Sequence, residues 1–211
     1  MIEYKPKRLT NKSIWEQADL FRESKEYGKE IPVKIEKLIE FELNMDIIPI
    51  TGLKELSGVE AFLSLNLKGI RVDRKAYDNP NYLPRLRFTL AEEVGHYILH
   101  KEIYQEGVSY NSEEEFIQDI LNMDENDLSW IEKQARQFAG RLLVPTETLF
   151  QQIKSNEEKI DQLYAINQDE ENSRSLAIEG VSKRICDNFQ VSWQVIRNRI
   201  GYENLKYLFE R

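Results

Sequence analysis

The stretch Arg87-Phe-Thr-Leu-Ala-Glu-Glu-Val-Gly-His96 predicts the core of the fold. Its last five residues read E-E-x-x-H, where the helix of a zinc peptidase carries H-E-x-x-H. Because positions 92 and 96 lie one helical turn apart, both side chains project from one face and can converge on one ion. Glu93 lies beside that face, where a general base can take a proton from metal-bound water. The pattern therefore predicts a helix-borne metal site with Glu92 as its first ligand.

A second helical stretch, residues 130–145, supplies the candidate third ligand, Glu132. On a helical wheel Glu132 falls at the edge of an apolar stripe, and a carboxylate in that position needs a partner. Ala135 and Ala139 are small enough to let two helix backbones approach closely. Such an approach would carry Glu132 toward His96.

These two segments, spanning about residues 85–145, resemble the ImmA/IrrE family of metallopeptidases. The resemblance implies a zincin-like core, an intracellular location and, as in characterised members, cleavage of a helix-turn-helix repressor of stress-response or mobile-element genes. It also implies that His96 and Glu132 are metal ligands and that Glu93 is the catalytic base. Glu92 takes the position of the family's first histidine ligand.

A carboxylate at position 92 changes the charge of the predicted site. With Glu92, His96 and Glu132 bound, a divalent ion is formally neutralised and should activate its water less strongly. Carboxylates also favour harder ions such as Mn²⁺, although the general affinity order favours Zn²⁺. We expect a divalent metal, Zn²⁺ in the first place, with Mn²⁺ or no metal as alternatives, and weakened hydrolysis.

Each candidate residue also has another interpretation. His100 lies one turn after His96, so it could be an alternative ligand or could support the site from behind. Glu92 could close a capping box with Thr89 at a helix start. His96 could be a hydrogen-bonded core histidine, and Glu132 an exposed acid at the rim of a cleft.

The remaining pattern favours an α+β fold. We expect a zincin-like helical core, a small and mostly antiparallel sheet from residues 46–50, 59–65 and 70–72, and a C-terminal helical segment. Helices are expected at 11–27, around 35–43, at 84–99 and at 130–144, with Thr146 capping the next one. Residues 1–150 should form the metallopeptidase-like core, and residues 151–211 a helical segment packed on it.

Composition limits the possible functions. The formal net charge of −8 argues against broad nucleic-acid binding, and the single cysteine, Cys186, fits a reducing compartment. The sequence shows neither a signal peptide nor an apolar run long enough to span a bilayer, so we expect a cytoplasmic protein without a membrane partner.

Two further segments leave alternatives open. Residues 111–129 contain seven acidic residues and no Lys or Arg, which fits a solvated face, a loose loop or a substrate-selecting lip. After a polar connection at 167–175, residues 181–201 have the pattern of a helix-turn-helix, with Ser192 as N-cap and basic Lys183, Arg184, Arg197 and Arg199. Packing is the favoured role of this helical pair.

Three classes of function are therefore considered. The first is a metal-dependent endopeptidase acting on a protein, such as a helix-turn-helix repressor. The second is a catalytically inactive relative that binds a regulatory partner, and the third is a DNA-binding regulator.

Overall fold

The computed structural model describes residues 5–106, 110, 112–166 and 170–210. The chain forms two compact units, Met1–Leu142 and Leu143–Arg211. Within the described residues, no helix combines the length and the apolar character needed to cross a membrane.

The first unit is mainly helical, as the periodicity predicts. The N-cap hydroxyl of Thr10 accepts a hydrogen bond from the Ser13 backbone N–H at 3.2 Å and starts the first helix. Pro84 lies in the first turn of the long helix α5. The helices are α1 (Asn11–Ser24), α2 (Ile35–Lys37, continued by a π-helical turn at Leu38–Glu42), α3 (Leu53–Ser57), α4 (Arg74–Tyr77), α5 (Leu83–Leu99), α6 (Lys101–Glu106), α7 (Glu113–Leu121) and α8 (Glu125–Leu143).

The sheet has three strands, β1 (Asp46–Ile50), β2 (Ala61–Leu63) and β3 (Gly69–Asp73), in the order β1-β3-β2. Strands β2 and β3 are antiparallel, but β1 runs parallel to β3, so the sheet is mixed where a mostly antiparallel one was expected. Helix α3 separates β1 from β2, so these two strands are not joined by a tight hairpin, and β3 lies between them.

Helix α5 packs on the face of the sheet that carries alternate apolar residues. Leu90 and Val94 of α5 are fully buried, as are Ile70 and Val72 of β3. Since side chains alternate along a strand, the opposite face carries Phe62 and Arg71. Helix α5, which is predicted to carry the metal site, therefore packs on the sheet, and β2 is an edge strand of that sheet.

The acidic segment at 111–129 is mostly helical in its described part, with a turn at 122–124 between α7 and α8, so it is not a loose loop. Ser112 caps α7 by accepting from the Glu115 N–H, and four of the seven acids, Glu114, Glu115, Asp124 and Glu125, are exposed. Glu113 forms an ion pair with Arg71 of β3, which ties α7 to the sheet.

The second unit contains α9 (Thr146–Lys154), α10 (Glu157–Ile166), α11 (Glu170–Phe189) and α12 (Trp193–Tyr202), followed by a 3₁₀ turn at Leu205–Phe209. Pro145, not Thr146, holds the N-cap position of α9. The connection expected at 167–175 was partly wrong, because residues 170–175 belong to α11, and 167–169 lie outside the described residues. Ser192 holds the N-cap position of α12, as predicted.

Candidate metal centre

The site depends on a close crossing of α5 and α8. A Cβ at Gly95 would lie 3.1 Å from the carbonyl oxygen of Ala135 and 3.2 Å from its Cα. Both Ala135 and Ala139 are completely buried. The small residues on the two helices therefore bring their backbones together, which is the approach that the sequence predicts.

This crossing places Glu132 of α8 beside His96 of α5. The Oε1 atom of Glu132 lies 3.6 Å from Nε2 of His96. A tetrahedral ion bound at about 2.1 Å to an imidazole nitrogen and a carboxylate oxygen would hold those two atoms about 3.4 Å apart. His96 and Glu132 thus fit two positions in the coordination sphere of one divalent ion.

Glu92 lies on the same face of α5 and is engaged by a cation of α8. Its Oε1 atom lies 3.5 Å from Nε of Arg136, whose terminal nitrogen lies 3.6 Å from Oε2 of Glu132. Among the residues that the structure describes, no three His, Cys, Asp or Glu side chains are placed so that they could bind one metal ion. The ligand types fit a divalent metal ion, and Glu92 would have to leave Arg136 to become the third ligand.

The surroundings of Glu92 make its side chain harder to ionise than an exposed carboxyl group. Burial raises the pKa of Glu92 to about 7, helped by the negative charges of Glu132 and Glu60 and opposed by Arg136 and Arg85. The interpretation of Glu92 as a capping residue fails, because α5 begins at Leu83 and position 92 lies in the helix interior.

Glu93 is buried beneath the same surface, with 7% of its area exposed. Burial raises its pKa well above the usual value, and the charges of Glu132 and Glu92 add to the rise, whereas the Leu63 backbone N–H of β2 opposes it. Burial likewise raises the pKa of Glu132, and Arg136 opposes that rise. A carboxylate whose pKa is raised is a stronger base than an exposed one, so it can accept a proton from an acidic water and then return that proton as an acid.

His100 supports His96 from the side away from Glu132. The Nδ1 atoms of the two rings lie 3.1 Å apart, and Glu132 faces the other nitrogen of His96. One ion could not bind at both ends of the His96 ring, so this geometry favours His100 as a supporting residue over a ligand. Burial lowers the pKa of His96 to about 4 and that of His100 to about 3, so both rings are neutral at pH 7.

Gln134 extends this contact on the far side of His100. Within the described residues, Nε2 of His100 and Oε1 of Gln134 are both buried without a hydrogen-bond partner, while the Gln134 amide nitrogen donates to the Lys7 carbonyl at 2.9 Å. The side-chain amide of Gln134 nevertheless lies near enough to His100 to raise the pKa of its ring. If His96 binds a metal through Nε2, its Nδ1–H donates to His100, whose own N–H then points toward Gln134.

Three residues near the site were missed from the sequence: Arg136, Gln134 and Tyr104. Arg136 follows Glu132 by one turn, which is a signal for an ion pair within α8. Tyr104 is buried, and burial together with Glu93 and Glu132 raises the pKa of its hydroxyl well above the usual value. Nothing in the spacing indicated the contacts of Gln134 or Tyr104, because they depend on packing.

The second unit offers fewer basic groups than the helix-turn-helix pattern suggested. Arg199 is buried, bonds to the Val144 carbonyl and pairs with Glu203. Lys183 pairs with Glu179 at 2.5 Å and lies over the ring of Trp193. Arg199 therefore contributes to packing within this unit.

A known protein family matches the part of the chain that carries these residues. No curated protein matches the chain. The model of the peptidase M78 family, described as an IrrE N-terminal-like domain, matches residues 77–200, which include α5, α8 and the three candidate ligands. This match covers more than half of the chain, and the chain therefore belongs to the ImmA/IrrE family of metallopeptidases.

Proposed function

We propose that this protein is a metal-dependent endopeptidase in which Glu92, His96 and Glu132 hold a divalent ion, Zn²⁺ in the first place. The observation that carries the proposal is the 3.6 Å separation between Glu132 and His96, with the buried carboxyl of Glu93 on the same helix. When bound, the ion would supply a Lewis acid that polarises the scissile carbonyl and lowers the pKa of a water molecule.

The chain's own contribution is the handling of protons. The carboxylate of Glu93 accepts a proton from the attacking water and, because its pKa is raised, holds that proton and returns it to the leaving nitrogen. His100 keeps the Nδ1 side of His96 occupied, so that Nε2 remains directed toward Glu132. Together these contacts orient both the base and a ligand before substrate arrives.

Strand β2 offers a surface for aligning a peptide. The Ser64 N–H donates to the Gly69 carbonyl across the hairpin at 2.8 Å, so by alternation the backbone groups of Ala61 and Leu63 point away from β3. The Leu63 N–H faces the carboxyl of Glu93. An extended substrate could add to this edge as a further strand and place a carbonyl beside the site.

The substrate class that we propose is a protein, a helix-turn-helix repressor being the first candidate. Strand addition reads the backbone and so requires an extended segment, such as an interdomain linker or a locally unfolded end. The carboxylate at position 92 reduces the net positive charge of the metal centre. We therefore expect weaker activity than a peptidase with histidine at this position would have.

A second candidate is a catalytically inactive member that binds a regulatory protein through the same edge strand. The observation that favours it is the contact of Arg136 with both Glu92 and Glu132, which satisfies these carboxylates without a metal. The two candidates share the cleft and differ in whether the bound protein is cut.

Cleavage of a purified helix-turn-helix repressor encoded beside this protein tests the proposal. The full chain is incubated with Zn²⁺ or Mn²⁺, and the products are identified by mass spectrometry. Glu93→Gln should lower the rate by at least about 100-fold, because general base catalysis is lost. The matched control, Glu55→Gln on the exposed helix α3, should cut as the parent does.

Two results would count against the proposal. Undiminished cleavage by Glu93→Gln would remove the assigned base. A complex between the intact repressor and the metal-loaded protein, with no products, would instead support the inactive partner-binding candidate.

A further inference from the structure

The side chain of Arg136 reaches both acidic ligand candidates at once. Its Nε lies 3.5 Å from Glu92 and a terminal nitrogen lies 3.6 Å from Glu132, so one guanidinium group spans carboxylates from two helices. A metal ion at the site would have to contact the same two carboxylates. Arg136 and the metal therefore compete for one pair of negative charges.

The need for a cation at this place follows from the two carboxylates themselves. Glu92 and Glu132 repel each other, and the Glu92 side chain is only 21% exposed, so water screens its charge poorly. Another cation, Arg85, affects Glu92, but it forms two hydrogen bonds of 2.7 Å with Glu60. Among the residues that the structure describes, Arg136 is thus the cation that directly bridges Glu92 and Glu132.

The contact of Arg136 with Glu92 and Glu132 is weak enough to be reversible. The Arg136 side chain is 58% exposed, and both of its separations from the carboxylates exceed ordinary charge-assisted hydrogen-bond lengths. The guanidinium can therefore move fully into solvent without losing a buried hydrogen bond. By contrast, Arg87 of α5 is buried and bonds to the Val33 carbonyl, so it cannot exchange in this way.

We propose that Arg136 is a displaceable internal cation, which neutralises Glu92 and Glu132 in the metal-free protein and raises the metal concentration at which the site loads. This inference rests on the proposed metal site, whose third ligand, Glu92, becomes available only when the guanidinium leaves. The arrangement makes metal loading, and with it any proteolysis, respond to the concentration of free divalent ion.

The test is the affinity of the full chain for Zn²⁺, measured by competition with a chromophoric chelator. Exposed ion pairs are weak, so Arg136→Ala should bind Zn²⁺ about threefold to tenfold more tightly than the parent. Arg136→Lys keeps the charge and should stay closer to the parent. Lys133→Ala removes a cation of the same helix that lies over the Trp130 ring, and it should leave the affinity unchanged.

A second readout follows the displacement directly. The Nε–H resonance of Arg136, identified by its loss in Arg136→Ala, should shift when Zn²⁺ is added to the parent. Equal Zn²⁺ affinity in the parent and Arg136→Ala, with an unmoved resonance, would overturn this inference and leave the metal site intact. Failure of both proteins to bind Zn²⁺ would overturn the inference together with the proposed function.

Discussion

Gly95 of α5 lies against the backbone of Ala135 of α8, and a methyl group at position 95 would come within 3.1 Å of the Ala135 carbonyl oxygen. No flexible side chain stands between these two backbones to absorb such a clash. The separation of the helices, and with it the distance between His96 and Glu132, is therefore set by the absence of a side chain at this glycine.

Replacing Gly95 with Ala should destabilise the protein although alanine is the better helix former. Overpacking costs about 1–3 kcal/mol, and helix propensity returns about 1 kcal/mol, so a net loss of up to about 2 kcal/mol is expected in urea unfolding. Moving α8 away should also weaken Zn²⁺ binding. Gly201→Ala is the matched control, because its nearest neighbour is a side-chain atom of Lys206 at 3.9 Å. A Gly95→Ala variant that is more stable than the parent by about 1 kcal/mol, the full gain in helix propensity, would contradict the close crossing.

Glu92→His should restore a neutral first ligand, strengthen Zn²⁺ binding and increase proteolysis. The ion would then keep a net positive charge with Glu132 as the sole carboxylate ligand, which favours a more acidic bound water. The change also removes one of the two carboxylates that hold Arg136. Arg136→Ala should consequently have a smaller effect on Zn²⁺ affinity in the Glu92→His background than in the parent.

The double-mutant comparison has a clear negative outcome. If Arg136→Ala changes the affinity by the same factor in both backgrounds, Glu92 and Arg136 do not act on the metal through each other. Weaker Zn²⁺ binding by Glu92→His than by the parent would show that position 92 does not face the ion.

The buried histidines predict a pH dependence of stability. The pKa of His100 is lowered to about 3 by burial first and by His96 second, whereas an unfolded histidine titrates near 6.5. Between those values the unfolded chain takes up a proton that the folded chain refuses, so the ring's contribution to stability is lost as the pH falls. About 2 kcal/mol should disappear between pH 7 and pH 5 from this residue.

His100→Gln tests this dependence in metal-free protein. Urea unfolding at pH 7, 6 and 5 should give a shallower loss of stability in the variant than in the parent, whatever their difference at pH 7. Parallel curves for the two proteins would mean that His100 is protonated in the folded state or is not buried.

The sequence predicted the parts of the site that depend on helical periodicity. The one-turn spacing of Glu92 and His96 placed both on one face of α5, and Ala135 indicated the close crossing that brings in Glu132. The family match agrees with the resemblance found in these two helices. These features could be predicted from the sequence because each follows from the regular helical repeat of 3.6 residues.

The features that were missed depend on long-range packing. Strand β1 pairs in parallel with β3, and α3 separates it from β2. Short apolar strands do not specify such partners by their sequence. The bridge from Arg136 to Glu92 joins two helices and could be foreseen only on its Glu132 side. The contact of His100 with Gln134 likewise depends on the rotation of α8 against α5.

The most direct test of the account is the Zn²⁺ content of the protein after equilibrium dialysis against excess Zn²⁺, measured by elemental analysis beside His96→Ala and Glu132→Ala. We predict one ion per parent chain and a large loss in both variants, with the Lys133→Ala control unchanged. A parent chain that retains no Zn²⁺, or variants that retain as much as the parent, would contradict a metal centre formed by Glu92, His96 and Glu132.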